Sequence, residues 1–453
     1  MNRQVVVVKI IGRIEPSQGF SAHFLSAKAP DCTVHFGEKQ KQRVILLQGP
    51  VGPFFKTLQH QLNEHGLDAW RICFNAGDCF FSSESKRILF CGKSMEWECW
   101  FADFIAAAEI DQIVLFGAER PIHRVARAVG EMAGIPVHTL EEGYVRPGFI
   151  TAEEGGNNAG SPLMGKLPPS NFCEQEPQKG ESYKAFLPMC LYGIAYYTVR
   201  FLFSSRAQRG LYHRHLAKLE VFLWIRNGWR WLKHRHHNFL IMKNLLRNLR
   251  GKFYLIPLQV DADSQMKDAA LGWTQNNLVS SVMKSFAKHA PDRTHLVFKI
   301  HPLERGHTNL GRMITEVSEA YGIADRVSVI DSGPLASLTR RSAGMITINS
   351  TSGFSAIYHG IPLLVVGQTF YAHPELVTCG NGAPDFDRFW SRGHVAPLPL
   401  RRAFISWMYQ EALIPGDFYA KRGIALGCSN LLPRLKIKPF EVQERAHQEQ
   451  VAC

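Results

Sequence analysis

A chain of 453 residues is too long for a single hydrophobic core, so two domains of roughly 150 to 200 residues are expected. The hydrophobic content of 45% is ordinary for a globular protein, but the net charge of +13 is concentrated in residues 200–250, which contain twelve Lys and Arg against one acid, Glu220. Ten singly scattered cysteines without a CxxC pair exclude a disulfide scaffold and favour a reducing cytoplasm. No secretory leader is predicted, because the apolar run at 5–11 is short.

The first half of the chain has the pattern of a parallel α/β domain. After an N-terminal extension (1–42), short apolar runs alternate with segments of helical spacing. Strands are predicted at 44–48, 69–74, 111–117 and 135–140, helices at 55–64, 96–108 and 120–134, and a turn at 75–78. The helix at 120–134 is expected to bury Val125, Ala126, Val129 and Met132.

A glycine-rich turn joins the first predicted strand to its helix. Gly49 and Gly52 would let a ligand approach the backbone N–H groups at the helix start. The turn lacks the GK[ST] ending of a Walker loop and the GxGxxG spacing of a dinucleotide fold. A tight turn without a ligand explains the two glycines equally well.

Two adjacent carboxylates follow the strand predicted at 135–140. Glu141 and Glu142 precede Gly143, and Arg146 lies four residues after the second carboxylate. Open α/β sheets bind ligands at the carboxyl ends of their parallel strands. Two solvated glutamates in a surface loop are the alternative, but the glycine, the arginine and the nearby Tyr144 favour a binding site.

The middle of the chain combines positive charge with aromatic residues. A polar loop at 155–182 leads to an uncharged stretch at 185–199, which contains Pro188 and is shorter than the ~20 residues that span a bilayer. Aromatic and basic residues then interleave through 200–250, as in surfaces that face anionic lipid. Nucleic-acid binding or an inter-domain helical hairpin with a solvated basic face would show the same composition. No metal site is predicted from His234, His236 and His237.

A second α/β pattern begins at residue 252. Strands are predicted at 253–259, 296–300, 327–330, 345–348 and 362–366, with helices at 277–290, 313–321, 335–341 and 354–359. The helix at 277–290 is expected to bury Val279, Val282, Met283 and Phe286. The sequence therefore predicts two doubly wound α/β domains that face a cleft, with a basic aromatic helical segment between them.

A turn rich in hydroxyl groups (349–353, NSTSG) joins a predicted strand to a helix. Its backbone N–H groups, its hydroxyls and the helix dipole would together bind an anion. Lys299 and His301, at the end of the neighbouring strand, would add positive charge. A helix N-cap explains the serines equally well.

Five blocks of sequence carry a family resemblance. They are QGPVGPFF (48–55), FGAERPIHR (116–124), EEGYVRPGFIT (141–151), KIHPLERG (299–306) and NSTSGFSAIYHGIP (349–362). On these blocks, the chain from about residue 43 to about residue 425 resembles the capsule polysaccharide biosynthesis and export family of the KpsS/LipB type.

The resemblance implies a retaining β-Kdo glycosyltransferase with a GT-B-like fold. It would use CMP-Kdo as donor, need no metal or other cofactor, and build the Kdo linker on lyso-phosphatidylglycerol. The implied domains are a Rossmann-like acceptor domain at 43–182, the basic aromatic helical segment at 183–250, a Rossmann-like CMP-sugar-binding domain at 251–430, and a tail at 431–453.

The resemblance and the chemistry of the motifs together give roles to single residues. Glu142 would contact the sugar as nucleophile or electrostatic stabiliser, with Glu141 or His123 as its acid–base partner. The candidates for binding the Kdo carboxylate or the acceptor are Gly49, Gly52, Arg120 and Arg146. The candidates for binding CMP-Kdo are Lys299, His301, Pro302, Ser350, Thr351, Ser352 and Gly353. Asp261 and Asp263 form a DxD pair, but the family resemblance points to a metal-independent enzyme.

The expected location is the cytoplasmic face of a Gram-negative inner membrane, where the protein would be peripheral. Its partners would be the lipid acceptor, the membrane surface, a second Kdo transferase and the capsule export transporter, but not nucleic acid. The alternative is a non-enzymatic export factor that binds lipid-linked polysaccharide. The paired carboxylates and the predicted phosphate turn favour the transferase.

Overall fold

The computed structural model describes residues 39–211, 220–260 and 268–435, and the backbone of two short strands before them. The DxD pair at 261–263 lies outside the described residues, as does the tail after residue 435.

The strands, in chain order, are β1 (Val7–Ile10), β2 (Cys32–His35), β3 (Arg43–Leu46), β4 (Asp68–Cys73), β5 (Arg87–Leu89), β6 (Gln112–Phe116), β7 (Val137–Glu142), β8 (Phe149–Glu154), β9 (Phe253–Pro257), β10 (His295–Lys299), β11 (Val327–Ile330), β12 (Gly344–Thr347), β13 (Leu363–Val365), β14 (Thr378–Cys379) and β15 (Leu413–Pro415). The α-helices are α1 (Phe54–Glu64), α2 (Ala76–Phe80), α3 (Trp97–Ala107), α4 (Pro121–Met132), α5 (Phe186–Phe203), α6 (Arg206–Gly210), α7 (Glu220–Arg247), α8 (Gln275–His289), α9 (Leu310–Ala320), α10 (Leu335–Thr339), α11 (Phe354–His359), α12 (Phe386–Arg392), α13 (Leu398–Ala412) and α14 (Lys421–Leu431).

The first domain is built on a seven-stranded sheet in the order β15-β8-β7-β6-β3-β4-β5. Strands β3 to β7 are parallel, and β8 and β15 add an antiparallel edge. Along β3, Val44 and Leu46 enter one apolar cluster, while Ile45 enters the cluster on the opposite face. A parallel strand covered on both faces needs a continuous apolar run, which is why this strand could be predicted from its sequence.

The second domain is built on a six-stranded, fully parallel sheet in the order β11-β10-β9-β12-β13-β14. Phe253 and Leu255 of β9 face one cluster, and Tyr254 and Ile256 face the other. The predicted fold class, two parallel-sheet α/β domains, is confirmed.

The chain returns to the first domain near its C-terminus. Strand β15 pairs antiparallel with β8, and Ile424 and Cys428 of α14 are buried in the same cluster as Phe54 of α1. The expected boundary at residue 430 is therefore wrong, because β15 completes the first sheet and α14 packs in the apolar cluster on its face.

The described parts of the basic aromatic segment are mainly helical, but α5 and α7 pack on different domains. In α5, the Tyr196 hydroxyl donates to Asp78 Oδ1 of the first domain (3.0 Å). In α7, Asn238 Nδ2 donates to Asp331 Oδ1 of the second domain (2.7 Å). The segment is thus not a unit of its own.

Helix α5 is longer than the uncharged stretch predicted at 185–199. It runs for 18 residues, and within the described residues it is the helix that is long and apolar enough to cross a membrane by length and composition. Pro188 does not break it, because proline is tolerated in the first turn, where the N–H groups have no intrahelical partner.

Two local predictions in the first domain are wrong. Met132 is 89% exposed, because the inward face of α4 is formed by His123, Ala126, Val129 and Gly130. Residues 75–78 are not a turn but the start of α2, where the Asn75 side chain accepts from the Asp78 N–H as an N-cap.

Candidate active site

The two adjacent glutamates are the last residues of β7, and the loop 143–148 connects them to β8. Gly143 is sterically required there, because a Cβ atom would lie 2.7 Å from the Val145 carbonyl oxygen. The Arg146–Pro147 peptide bond in this loop is cis. The strand has the predicted length but ends two residues later than predicted, and this decides where the carboxylates point.

Glu142 lies on the same face of β7 as Leu140, since side chains two apart share a face. On this face the Tyr419 hydroxyl lies near the Glu142 carboxylate. Burial, followed by the nearby charge of Glu142, raises the pKa of Tyr419 well above its usual value, so the phenol stays protonated. The Arg120 charge opposes this shift, which places the guanidinium near the same pair.

Glu141 projects to the opposite face of the sheet, opposite Thr151 of β8. Its charge contributes to the raised pKa of Tyr144, which lies on the side of the second domain. The structure therefore disagrees with the expectation that Glu141 is the acid–base partner of Glu142, because adjacent residues of one strand cannot face the same ligand atom.

His123 is also a poor candidate for the acid–base partner. Its side chain is fully buried on the inward face of α4, and Nδ1 lies 3.1 Å from the Gly117 carbonyl oxygen. Burial, followed by the charge of Arg120, lowers its pKa to about 3. A neutral imidazole without solvent access does not exchange protons with a substrate in the cleft.

The glycines of the first turn are needed for packing rather than for ligand approach. A Cβ atom on Gly49 would lie 2.7 Å from the Phe55 ring, and one on Gly52 would lie 2.8 Å from the Tyr192 ring of α5. The φ angle of Gly52 is +121°, a conformation that other residues rarely adopt. The alternative of a tight turn explains both positions.

The two predicted arginines lie on different sides of the loop 143–148. Arg120 is buried at the start of α4 and its guanidinium lies 4.8 Å from the centre of the Phe116 ring, close to the Gly49 carbonyl oxygen (3.4 Å). Arg146 is exposed, and its Nε donates to the Gly143 carbonyl oxygen (3.0 Å). Arg120 thus lies on the same side of this loop as Glu142, while Arg146 faces the second domain.

His301 is neutral at pH 7 and does not add positive charge as predicted. Burial, then the charges of Lys299 and Arg146, lower its pKa to about 4. The Leu303 N–H donates to Nδ1 (3.2 Å), so the ring proton resides on Nε2. His301 is therefore a fixed hydrogen-bond donor, and burial also lowers the pKa of the adjacent Lys299.

Helix α7 fixes the loop that carries His301 and Pro302. Asn227 Nδ2 donates to the Pro302 carbonyl oxygen (3.1 Å), and Arg226 Nε donates to the Gly306 carbonyl oxygen (2.6 Å). Arg230 donates to three oxygens of the same loop, those of Arg305 (2.7 Å), Thr308 (2.9 Å) and the Asn309 side chain (2.9 Å). These arginines, predicted as part of a lipid-facing surface, instead bind protein carbonyls.

The serines of the 349–353 turn form a helix N-cap, which is the alternative predicted for them from the sequence. Ser350 Oγ accepts from the Ser352 N–H (3.2 Å), and the two hydroxyls are 2.8 Å apart. A Cβ atom on Gly353 would overlap the hydroxyl of Tyr371, which donates to the Ser350 carbonyl oxygen (2.5 Å). The side chains of Ser350, Thr351 and Ser352 are only partly buried and remain accessible to a ligand.

The structure brings the two halves of the predicted site together at the carboxyl ends of both sheets. Arg146, in the loop after the glutamates, is close enough to His301 for its charge to lower the histidine pKa. Sequence reasoning missed Tyr419 and the hydrogen bonds from α7 to the loop that carries His301. Both depend on packing between distant segments and have no local motif. Sequence reasoning also missed Asn158, whose amide donates to the Asn349 carbonyl oxygen (3.1 Å).

In the part of the chain that the structure describes, no three His, Cys, Asp or Glu side chains form a group that could bind a metal ion. A cavity of 730 Å³ lies apart from the candidate site, against β8, α13 and α14, and its lining includes Leu163, Trp407 and Arg434. None of the predicted site residues lines it.

Comparison with known proteins identifies the family. Residues 111–419 match the family described as capsule polysaccharide biosynthesis protein. The chain is 30% identical over 385 residues to the capsule polysaccharide export protein KpsS of Escherichia coli, an alignment that covers 83% of this chain and 97% of that protein. It is 31% identical over 396 residues to the capsule polysaccharide modification protein LipB of Neisseria meningitidis serogroup B, covering 84% and 92%. Among solved structures it is similar to the β-Kdo 2,7-transferase KpsC of Thermosulfurimonas dismutans, with 13% identity, a TM-score of 0.40, and coverage of 85% of this chain and 99% of that chain. The chain belongs to the capsule polysaccharide biosynthesis family.

Proposed function

We propose that this protein is a glycosyltransferase that moves β-Kdo from CMP-Kdo to a lyso-phosphatidylglycerol acceptor and so starts the Kdo linker of a capsular polysaccharide. The single observation that carries the proposal is the direct contact between the two halves of the predicted site. The Tyr144 ring, in the loop after the paired glutamates, stacks on Phe370 of the second domain with centroids 4.0 Å apart, and Asn158 Nδ2 donates to the Asn349 carbonyl oxygen of the 349–353 turn (3.1 Å).

The second domain would bind the CMP part of the donor. The Nε2–H of His301, the hydroxyls of the 349–353 turn and Lys299 offer donors to one phosphate. When the bond between the sugar and the phosphate oxygen breaks, CMP leaves with the electron pair, and these donors stabilise its charge. In the protein without ligand His301 is neutral, and its Nε2–H is the group that would donate to the phosphate.

The first domain would bind the acidic sugar and the acceptor. Glu142 and Arg120 both lie near the Tyr419 phenol, so a carboxylate and a cation are available at the carboxyl end of β7. The carboxylate would stabilise an oxocarbenium-like sugar or attack it, and an arginine would bind the carboxylate of Kdo. The acceptor oxygen then forms the new bond to the anomeric carbon while the bond from that carbon to CMP or to Glu142 breaks, and the acceptor proton would pass to a phosphate oxygen of the released CMP.

Helix α7 offers the surface for a lipid acceptor. Its outward stripe is apolar, whereas its inward face, which binds the second domain, is polar; this is the reverse of a helix in a soluble protein. The exposed fractions of the stripe residues lie between 49% and 65%, and these residues are Phe222, Ile225, Trp229, Leu232, Phe239 and Leu240. Exposed Lys233 and Arg235 lie beside the stripe, over the rings of Trp229 and Trp231. This pattern suits the surface of an anionic bilayer and supports a peripheral location on the inner membrane.

The test of function is CMP release. Purified protein with CMP-Kdo should release CMP only when lyso-phosphatidylglycerol is added. If CMP-Kdo stays intact while the protein binds lipid-linked polysaccharide, the chain is the export factor and not the transferase.

A further inference from the structure

A buried polar network crosses from the first domain to the second beside the candidate site. At its centre is Asn158, which is 2% exposed and has a left-handed backbone with φ +53°. Its Nδ2 donates to the Asn349 carbonyl oxygen (3.1 Å), and its Oδ1 accepts from the Thr369 hydroxyl (2.5 Å). Its backbone N–H donates to the Tyr144 hydroxyl (2.6 Å). One residue thus contacts both domains through three directed bonds.

The two ends of this network belong to the two halves of the site. Tyr144 comes directly after Glu141, Glu142 and Gly143, and its N–H donates to the Thr151 hydroxyl (3.1 Å). On the other side, Asn349 is the first residue of the 349–353 turn. Asn158 is therefore bonded directly to the acidic loop on one side and to the turn on the other.

Further hydrogen bonds hold the partners of Asn158 in place in both domains. The Tyr144 hydroxyl donates to Glu153 Oε2 (2.6 Å), whose other oxygen accepts from the Ser161 hydroxyl (2.5 Å). The side chain of Asn349 accepts from Gln259 Nε2 (2.9 Å). Buried polar groups with satisfied partners fix one geometry, because every alternative arrangement leaves a group unpaired.

Apolar contacts at the same interface do not fix the position of the acidic loop relative to the 349–353 turn. The Tyr144 ring stacks on the Phe370 ring with centroids 4.0 Å apart, and stacked rings tolerate sliding far better than hydrogen bonds do. The directional part of the interface is therefore the set of bonds around Asn158.

We propose that Asn158 is a positioning residue that sets the distance between the acidic loop and the 349–353 turn, and that Thr369 orients its side-chain amide. Asn158 itself touches no substrate. The inference rests on the proposed transferase function, since the distance matters only if a sugar is bound between the two loops.

The test compares Asn158→Asp and Thr369→Val with Thr369→Ser as the matched control. The aspartate side chain would keep the shape of asparagine and its tolerance of a left-handed backbone, but it would place a carboxylate oxygen against the Asn349 carbonyl oxygen. Valine removes the hydroxyl of Thr369 with little change of volume, whereas serine keeps it. We expect both disruptive variants to lower kcat at least about tenfold, with the Kd for CMP within about twofold of wild type, and Thr369→Ser to stay near wild type.

Hydrogen–deuterium exchange provides a readout that does not depend on activity. Faster exchange is expected in both 143–148 and 349–353 for the two disruptive variants, and unchanged exchange for Thr369→Ser. Wild-type kcat and exchange in folded Asn158→Asp would overturn the proposal, as would equal losses in the valine and serine variants. If the wild-type protein transfers no sugar but the exchange pattern appears, the function fails while the positioning contact stands.

Discussion

Arg226 and Arg230 should affect nucleotide binding, whereas Lys233 and Arg235, one turn further along the same helix, should affect lipid binding. The inward pair donates four hydrogen bonds to the loop that carries His301. A hydrogen bond from a charged group is worth about 1.5–3 kcal/mol when buried, and partial exposure reduces this to about 0.5–1 kcal/mol. Losing four such bonds costs about 2–4 kcal/mol. With half of this free energy holding His301 in its binding position, the affinity for CMP falls roughly 5- to 30-fold.

The assay is a matched pair of double variants. Arg226→Gln with Arg230→Gln should weaken CMP in titration calorimetry and leave vesicle binding nearly unchanged. Lys233→Gln with Arg235→Gln should do the reverse, with roughly 10- to 30-fold weaker co-sedimentation with anionic vesicles at low salt, because each basic residue near such a surface contributes about 1 kcal/mol. High salt should release the wild-type protein. The reasoning is refuted if both pairs weaken vesicle binding equally and neither changes the affinity for CMP.

Three further changes have defined outcomes. Glu142→Gln should lower transfer at least ~100-fold and leave CMP binding intact; a variant that keeps a tenth of the turnover contradicts its role. His301→Ala and Ser352→Ala should weaken CMP but not the lipid acceptor, and equal weakening of both ligands would indicate a misfolded second domain. Burial raises the pKa of Glu153 from 4.5 to about 7, so the stability that its protonated form contributes is complete below pH 4.5 and lost as the pH rises through 7. Thermal melts from pH 4.5 to 8 should therefore show wild type losing up to about 3 kcal/mol relative to Glu153→Gln, and parallel pH profiles would contradict the shift.

The fold could be predicted where apolar periodicity and burial coincide. The buried face of α8, formed by Val279, Val282, Met283 and Phe286, is confirmed, because i, i+3, i+4 and i+7 residues share one side of a helix. The prediction failed where a tertiary contact decides the outcome. Met132 has helical spacing but lies beyond the end of the buried face, and the return of 413–431 to the first sheet has no local signature.

The site could be located from the sequence, but its geometry could not. Adjacent carboxylates suggested a cooperating pair, yet once β7 is extended to Glu142, the two-residue period of a strand puts Glu141 on the other face. The charge of His301 depends on burial and on Arg146, which comes from the other domain. Tyr419 and Asn158 are brought to the site by packing between distant segments, and nothing in their local sequence distinguishes them.

The most direct measurement of the central claim is the mass of the lipid product. Purified protein is incubated with CMP-Kdo and a fluorescent lyso-phosphatidylglycerol, beside a reaction that contains Glu142→Gln, and the lipid is analysed by mass spectrometry. We expect a lipid heavier by one Kdo residue with wild type and unchanged lipid with the variant. Unchanged lipid in both reactions, from a wild-type protein that binds CMP, would contradict the proposed transfer.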